Sequence, residues 1–149
     1  LGAVPGAMPP LGGWTAATGE IELGGWVFFM ILFAWQHPHF YAIAWIFRDD
    51  YRRGGFKMLP VEDLEGNQTC RQIICFSFLL LIVSLLPTFL GLTGKVYLAG
   101  AFLLGCMLLT SSVYLIQKRS NDGARKLLRA TIVYLPLLFI LCLLDSNFN

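Results

Sequence analysis

Four apolar runs of roughly twenty residues, at 23–47, 73–92, 96–116 and 127–144, constrain this chain more than any other feature. A hydrocarbon layer about 30 Å thick needs about 20 such residues to be crossed as a helix. The runs therefore predict an all-α, polytopic transmembrane helix bundle. Composition opposes the soluble alternative. Of 149 residues, 56% are hydrophobic and 13% charged, where a soluble domain carries about 25% charged residues. A soluble core of this size has no room to hide that much apolar surface.

Around the spans, the sequence gives boundaries. Residues 1–22 are rich in Gly and Pro, which oppose a regular helix, and read as a connector. Residue 1 is Leu, and with no basic n-region or cleavage site before the first structured segment we expect no signal peptide. We therefore expect a piece of a longer protein whose upstream part carries further helices. In the second span Pro87 lies near the far end, where a kink costs least. Gly100 and Gly105 in the third are small enough to let a neighbouring helix approach. The polar tail 145–149 is expected to fray. Cys70, Cys75, Cys106 and Cys142 lack the paired short spacings of a zinc or redox site and read as packing residues.

Lys and Arg collect in two places. Loop 48–71 holds Arg48, Arg52, Arg53, Lys57 and Arg71, and loop 117–129 holds Lys118, Arg119, Arg125, Lys126 and Arg129, whereas the turn between them has Lys95 alone. The bias of basic residues towards cytoplasmic loops predicts that both loops face the cytoplasm, with residues 15–22 and the C-terminus outside. A net charge of +2 is too small to suggest a nucleic-acid partner.

The densest chemistry lies in WQHPHFYAIAWIFRDDYRRGGFKMLPVED, residues 35–63. Polar groups inside a span are costly and usually face a bundle interior or cavity. Trp35 and His39, four residues apart, share a helix face that His37 does not. A neutral imidazole at His39 beside Trp35, Phe40 and Tyr41 suits a flat tetrapyrrole and its iron. The alternative is that each imidazole merely satisfies a backbone carbonyl freed by Pro38. Next, Asp49 and Asp50 offer carboxylates for Mg²⁺ against a substrate diphosphate. Arg48, Arg52, Arg53 and Lys57 offer cations for diphosphate or propionate oxygens. Here the alternative is a solvated loop of mutually neutralised charges. Gly54 and Gly55 would let the loop fold back over a ligand.

These residues carry a resemblance. W, two residues, PHF, then RDDY, a GG pair and MLPV resembles the signature of the haem O synthases (protohaem IX farnesyltransferases), a branch of the UbiA-type intramembrane prenyltransferases. The opening GAVPGAMPPLGGW is similar to the segment before that signature, so the likeness covers residues 1 to about 61. Other UbiA-type enzymes usually show a fuller second aspartate motif, whereas Arg53 and Gly54 stand where a DxxxD spacing needs another carboxylate.

The resemblance implies a nine-helix parent of the bacterial inner membrane, of which this chain holds the last four helices, and the loop after the first span facing the cytoplasm as part of the active site. It implies transfer of farnesyl from farnesyl diphosphate to a vinyl group of protohaem IX, with Mg²⁺ as cofactor, membrane lipid as surroundings and a downstream haem A synthase as an expected partner. On that basis Asp49 and Asp50 bind the metal or orient Arg48 and Arg52. Arg48, Arg52, Arg53 and Lys57 bind anions, Tyr51 adds a hydrogen bond, and Trp35, Phe40 and Tyr41 face the farnesyl chain or porphyrin beside His39. Two other readings are a UbiA-type enzyme acting on a quinone precursor and a non-enzymatic haem-binding membrane subunit. The electrostatic expectation common to the haem reading is a water-poor chamber running from the loop to His39.

Overall fold

The structure, a computed structural model, describes residues 3–146. Among them are helices α1 (Ala3–Thr18), α2 (Leu23–Ile46), α3 (Arg48–Arg53), α4 (Leu59–Glu62), α5 (Asn67–Phe89), α6 (Lys95–Lys118) and α7 (Asn121–Leu144), with no β-strand. Helices α2, α5, α6 and α7 are each long and apolar enough to cross a membrane. At 23 or 24 residues and about 1.5 Å of rise per residue, each spans more than the hydrocarbon layer. The chain is a multi-pass membrane protein.

The four spans close into a square: α2 packs on α5 and α7, and α6 packs on the same two. Outside, Phe78, Phe102, Leu103, Leu137 and Leu143 are exposed, the arrangement expected when lipid, not water, is the solvent. Inside, buried polar side chains pair across helices. Ser77 and Ser112 join α5 to α6 at 2.9 Å, and Tyr134 reaches from α7 to Ser84 of α5 at 2.6 Å. Such bonds average about 0.6 kcal/mol each in a membrane protein. A Cβ on Gly105 would overlap Leu81 of α5, and one on Gly100 would overlap Leu141 of α7, so both glycines sit where neighbouring helices approach closely.

One buried hydroxyl has no partner. Tyr97, in the first turn of α6, is fully buried with its OH unbonded among the described residues. An unmade buried hydrogen bond costs about 1–3 kcal/mol. Tyr97→Phe is therefore expected to leave the thermal midpoint in detergent unchanged or raise it. Tyr134→Phe, which strands Ser84, is expected to lower it by the equivalent of about 1 kcal/mol. Equal losses from the two would contradict this assignment.

Two boundary expectations are corrected. Residues 3–18 are helical, not an irregular connector, although Pro9 and Pro10 lie inside α1. Packing overrides propensity here. Gln36 Nε2 donates to the Ala3 carbonyl at 2.7 Å, Leu11 and Ala7 are buried, and Trp14 of α1 lies against Gly24 and Gly25 of α2. These contacts with α2 offset the backbone donors that the prolines remove. The second correction concerns the tail. Asp145 is held, not frayed: Gly94 N–H donates to its carbonyl at 2.9 Å, Tyr97 N–H donates to its carboxylate at 2.7 Å, and Ser146 bridges to Thr93. An anion at the N-terminus of α6 is favoured by the helix dipole. Residues 147–149 lie outside the described residues.

Helices α5 and α7 each begin six residues before their apolar runs, at Asn67 and Asn121. The α6–α7 connection is thereby reduced to Arg119 and Ser120, with Ser120 Oγ accepting from Gly123 N–H at 3.2 Å as the α7 cap. Arg119, at φ 46°, donates to the Glu65 carbonyl at 2.7 Å and to Asn67 Oδ1 at 2.6 Å. That clasp places the two basic loops at the same end of the bundle.

Candidate functional site

The middle of α2 divides its two histidines between two neighbours. Pro38 has no N–H, so the carbonyl of Ala34 loses its helical donor. His37 does not answer it. Its Nδ1–H donates to Phe33 O at 2.7 Å, and its ring lies parallel on Phe76 of α5 at 3.7 Å between centroids. Tyr41 belongs with this group, edge-on to His37 at 6.1 Å. His37 is thus a packed residue satisfied by backbone.

His39 faces α7. Its ring stacks on Trp35 at 4.6 Å and 19°, as the four-residue spacing predicts, and its Nδ1 lies 2.9 Å from Thr131 Oγ1. Trp35 Nε1–H donates to the Thr131 carbonyl at 2.8 Å. Phe40 meets the other side of His39 edge-on at 5.6 Å and is 49% exposed. The structure thus gathers Trp35, His39 and Phe40, adds Thr131, and leaves Tyr41 elsewhere. Thr131 escaped the sequence reading because it lies 92 residues away. A hydroxyl inside an otherwise apolar run, five residues before Pro136, was the available signal.

The loop begins as a helix. After Phe47, α3 carries Asp49 and Asp50 in its first turn and Arg52 and Arg53 in its last. Asp49 pairs with Arg52 at 3.7 Å and Asp50 with Arg53 at 4.0 Å, while Arg48 lies over the Trp45 ring at 6.0 Å. The arginines that the carboxylates touch are therefore Arg52 and Arg53, not Arg48. Exposed pairs of this kind are worth about 0–1 kcal/mol. They set direction more than stability.

Gly55 ends α3. At φ +72° it turns the chain so that Gly55 N–H donates to Arg52 O at 3.2 Å and Phe56 N–H to Tyr51 O at 3.0 Å, a Schellman cap. Phe56 completes it by packing edge-on to Tyr51 at 5.8 Å. The freedom of Gly55 is spent on this stop, not on folding the loop over a ligand.

The chamber expected between loop and His39 is not closed by these residues. Asp49 and Asp50 side chains are 72% and 71% exposed. The cavity beside Asp50, about 310 Å³, is lined by Phe47, Asp50, Tyr51 and Phe56. His39 lies eight residues before Phe47, its first lining residue, about 12 Å by helical rise, and takes no part in it. The reason is local: RDDYRR gives α3 one apolar side chain, too little to bury a face. Nor do Asp49 and Asp50 converge on one point. No group of three or more His, Cys, Asp or Glu able to hold a metal occurs among the described residues. Adjacent helical positions also splay about 100° apart, and each carboxylate already has a guanidinium.

Further along, Asp63 organises the entry to α5. Its carboxylate accepts from Thr69 N–H at 2.7 Å. Partial burial pushes its pKa up, but donors from Thr69, Gln68 and Gly66 outweigh that and hold it below the usual carboxylate range. A depressed folded-state pKa contributes stability that is complete above the unfolded value, about 3.9, and is lost as pH falls through the folded one. The protection of Thr69 N–H, its exchange rate relative to the intrinsic rate at each pH, is expected to be constant near neutral pH and to fall below about pH 4. Asp63→Asn is expected to flatten that acid dependence, and an unchanged profile would remove Asp63 from the role.

Comparison with known proteins gives a consistent result. The UbiA prenyltransferase family profile matches residues 1–143. Proteins named protoheme IX farnesyltransferase from Solibacter usitatus and Salinibacter ruber are 48% and 44% identical to this chain over 97% of its length, covering 50% and 51% of theirs. One of the same name from Koribacter versatilis is 43% identical over 99% of the chain and 50% of its own length. The chain spans about half the length of the curated relatives it matches. No solved structure matches it.

Proposed function

Because the chain belongs to the UbiA prenyltransferase family, we propose that it forms the C-terminal half of an inner-membrane enzyme that transfers farnesyl from farnesyl diphosphate to a vinyl group of protohaem IX, giving haem O and pyrophosphate. The observation that carries the substrate choice is the Trp35–His39–Thr131 cluster. It combines a flat aromatic wall with an imidazole held in one orientation, inside a chain 43–48% identical to relatives bearing that name. A quinone precursor, lacking a metal, would meet that imidazole only through a hydrogen bond or a proton.

The loop's part is electrostatic. Ionisation of an allylic diphosphate leaves a carbocation and concentrates negative charge on the leaving group, so cations placed at those oxygens lower the barrier. Arg52, Arg53 and Lys57 are exposed cations of this loop, with Asp49 and Asp50 orienting the two guanidiniums. Arg48, over Trp45, stands behind them, and Tyr51 braces the turn through Phe56. Mg²⁺ carried by the diphosphate would be met there by Asp49 or Asp50, since one or two carboxylates suffice beside substrate phosphates. The same reading places the loop at the cytoplasmic face and a haem A synthase downstream.

The test is product identity. The full-length protein, expressed in a bacterium unable to make haem O, is expected to restore it, as seen by mass spectrometry of extracted haems. A prenylated quinone precursor in place of haem O would replace this reading with its nearest rival. Bound haem with no pyrophosphate release would replace it with a haem-carrying subunit.

A further inference from the structure

We infer that Thr131 locks His39 as its Nδ1–H tautomer, so that Nε2 is presented as a bare electron pair. The reasoning is a count of protons. A threonine hydroxyl has one hydrogen to give and two lone pairs to receive with. Thr131 Oγ1 lies 2.7 Å from the carbonyl of Leu128, one turn earlier on α7. A carbonyl can only accept, and at 2.7 Å this is the shorter of the two contacts, so the hydroxyl hydrogen is assigned to it. What remains on Oγ1 is acceptor capacity. On that assignment the nitrogen 2.9 Å away, His39 Nδ1, brings its own hydrogen. A neutral imidazole carries one N–H, which leaves Nε2 deprotonated.

The ring is also held against rotation. Trp35 stacks on it at 4.6 Å, and the Trp35 indole is fixed by its own hydrogen bond to the Thr131 carbonyl at 2.8 Å. One residue on α7 thus anchors the imidazole twice, once directly and once through the indole. Nε2 has no hydrogen-bond partner among the described residues. An unconstrained imidazole in water favours the opposite, Nε2–H form, so the assignment is a departure imposed by the fold. Thr131 is accordingly a positioning residue, acting through His39. The ligand class served by a fixed nitrogen lone pair next to an aromatic plane is a metalloporphyrin, with iron as the electron-pair acceptor. That last step rests on the proposed function, whereas the tautomer does not.

The experiment is long-range ¹H–¹⁵N correlation on the full-length protein, labelled at histidine and held at about pH 8, where imidazole is neutral. The His39 signals are identified by their loss in His39→Gln. The expected pattern is Nδ1–H with a pyridine-like Nε2. Thr131→Ser is expected to keep it and Thr131→Val to shift it towards Nε2–H. An Nε2–H pattern in the unsubstituted protein overturns the inference, whatever the variants do. Protohaem titration follows separately. Thr131→Val is expected to weaken binding about 10- to 100-fold, the range seen when the partner of a ligating histidine is removed. An Nδ1–H spectrum with unchanged protohaem affinity in both Thr131→Val and His39→Ala would reject the porphyrin reading and leave the tautomer standing.

Discussion

Replacing His39 by alanine in the full-length protein is expected to weaken protohaem binding by about 10- to 100-fold, a loss of about 1.4–2.8 kcal/mol, with farnesyl diphosphate affinity unchanged. The asymmetry follows from chemistry. A neutral imidazole stacked on Trp35 offers iron an electron pair, but it has no positive charge to offer a diphosphate. His37→Ala is the matched control: it removes a ring packed on Phe76 and bonded to its own helix, so it is expected to lower the thermal midpoint and spare both ligands. Optical titration with protohaem and competition with a farnesyl diphosphate analogue measure the two affinities. Equal losses for both ligands in His39→Ala would mean a general collapse of the site.

The second large effect is expected at Gly66, just before α5. Its backbone is left-handed at φ +74°, which costs a residue with a Cβ about 1–2 kcal/mol. That Cβ would also overlap the ring of Trp45. Trp45 is buried at the end of α2 and has little room to yield, and overpacking of this kind adds about 1–3 kcal/mol. Gly66→Val is therefore expected to cost about 2–5 kcal/mol and to reduce the yield of folded protein sharply. Gly19→Ala isolates the first contribution, because Gly19 is also left-handed at φ +81° but faces open space. Thermal unfolding in one detergent compares them. Similar midpoints for the two variants would mean that the Trp45 ring moves aside.

The spans were legible in the sequence because lipid imposes a length that local composition reveals. What was hidden follows from two kinds of ignorance. The first is environment. Proline rules learned in water made Ala3–Thr18 a connector, and the polar first turns of α5 and α7, NQTCRQ and NDGARK, look like loop when only apolarity marks a helix. The second is distance along the chain. His39 and Trp35 were legible as partners because helical geometry pairs them four residues apart, whereas Thr131 reaches them from another helix. Tyr41 was grouped with His39 on proximity in sequence and went to His37, its true four-residue neighbour. In the loop, adjacent acids and guanidiniums were visible as a cluster. That their one-and-a-half turns would lack a face to bury required knowing that RDDYRR is itself helical.

The clasp of Arg119 has a mechanical side. Its guanidinium ties the tight corner after α6 to the entrance of α5, beyond the charged stretch that follows α2. Any tilt of α6 against α5 must either break those bonds or drag the Glu65 backbone with it. The acidic and basic groups of α3 are thus joined to α2 at one end and, through α4, to the clasped entrance of α5 at the other. A movement of the α6–α7 corner is felt first at Glu65 and Asn67, twelve or more residues beyond the end of α3.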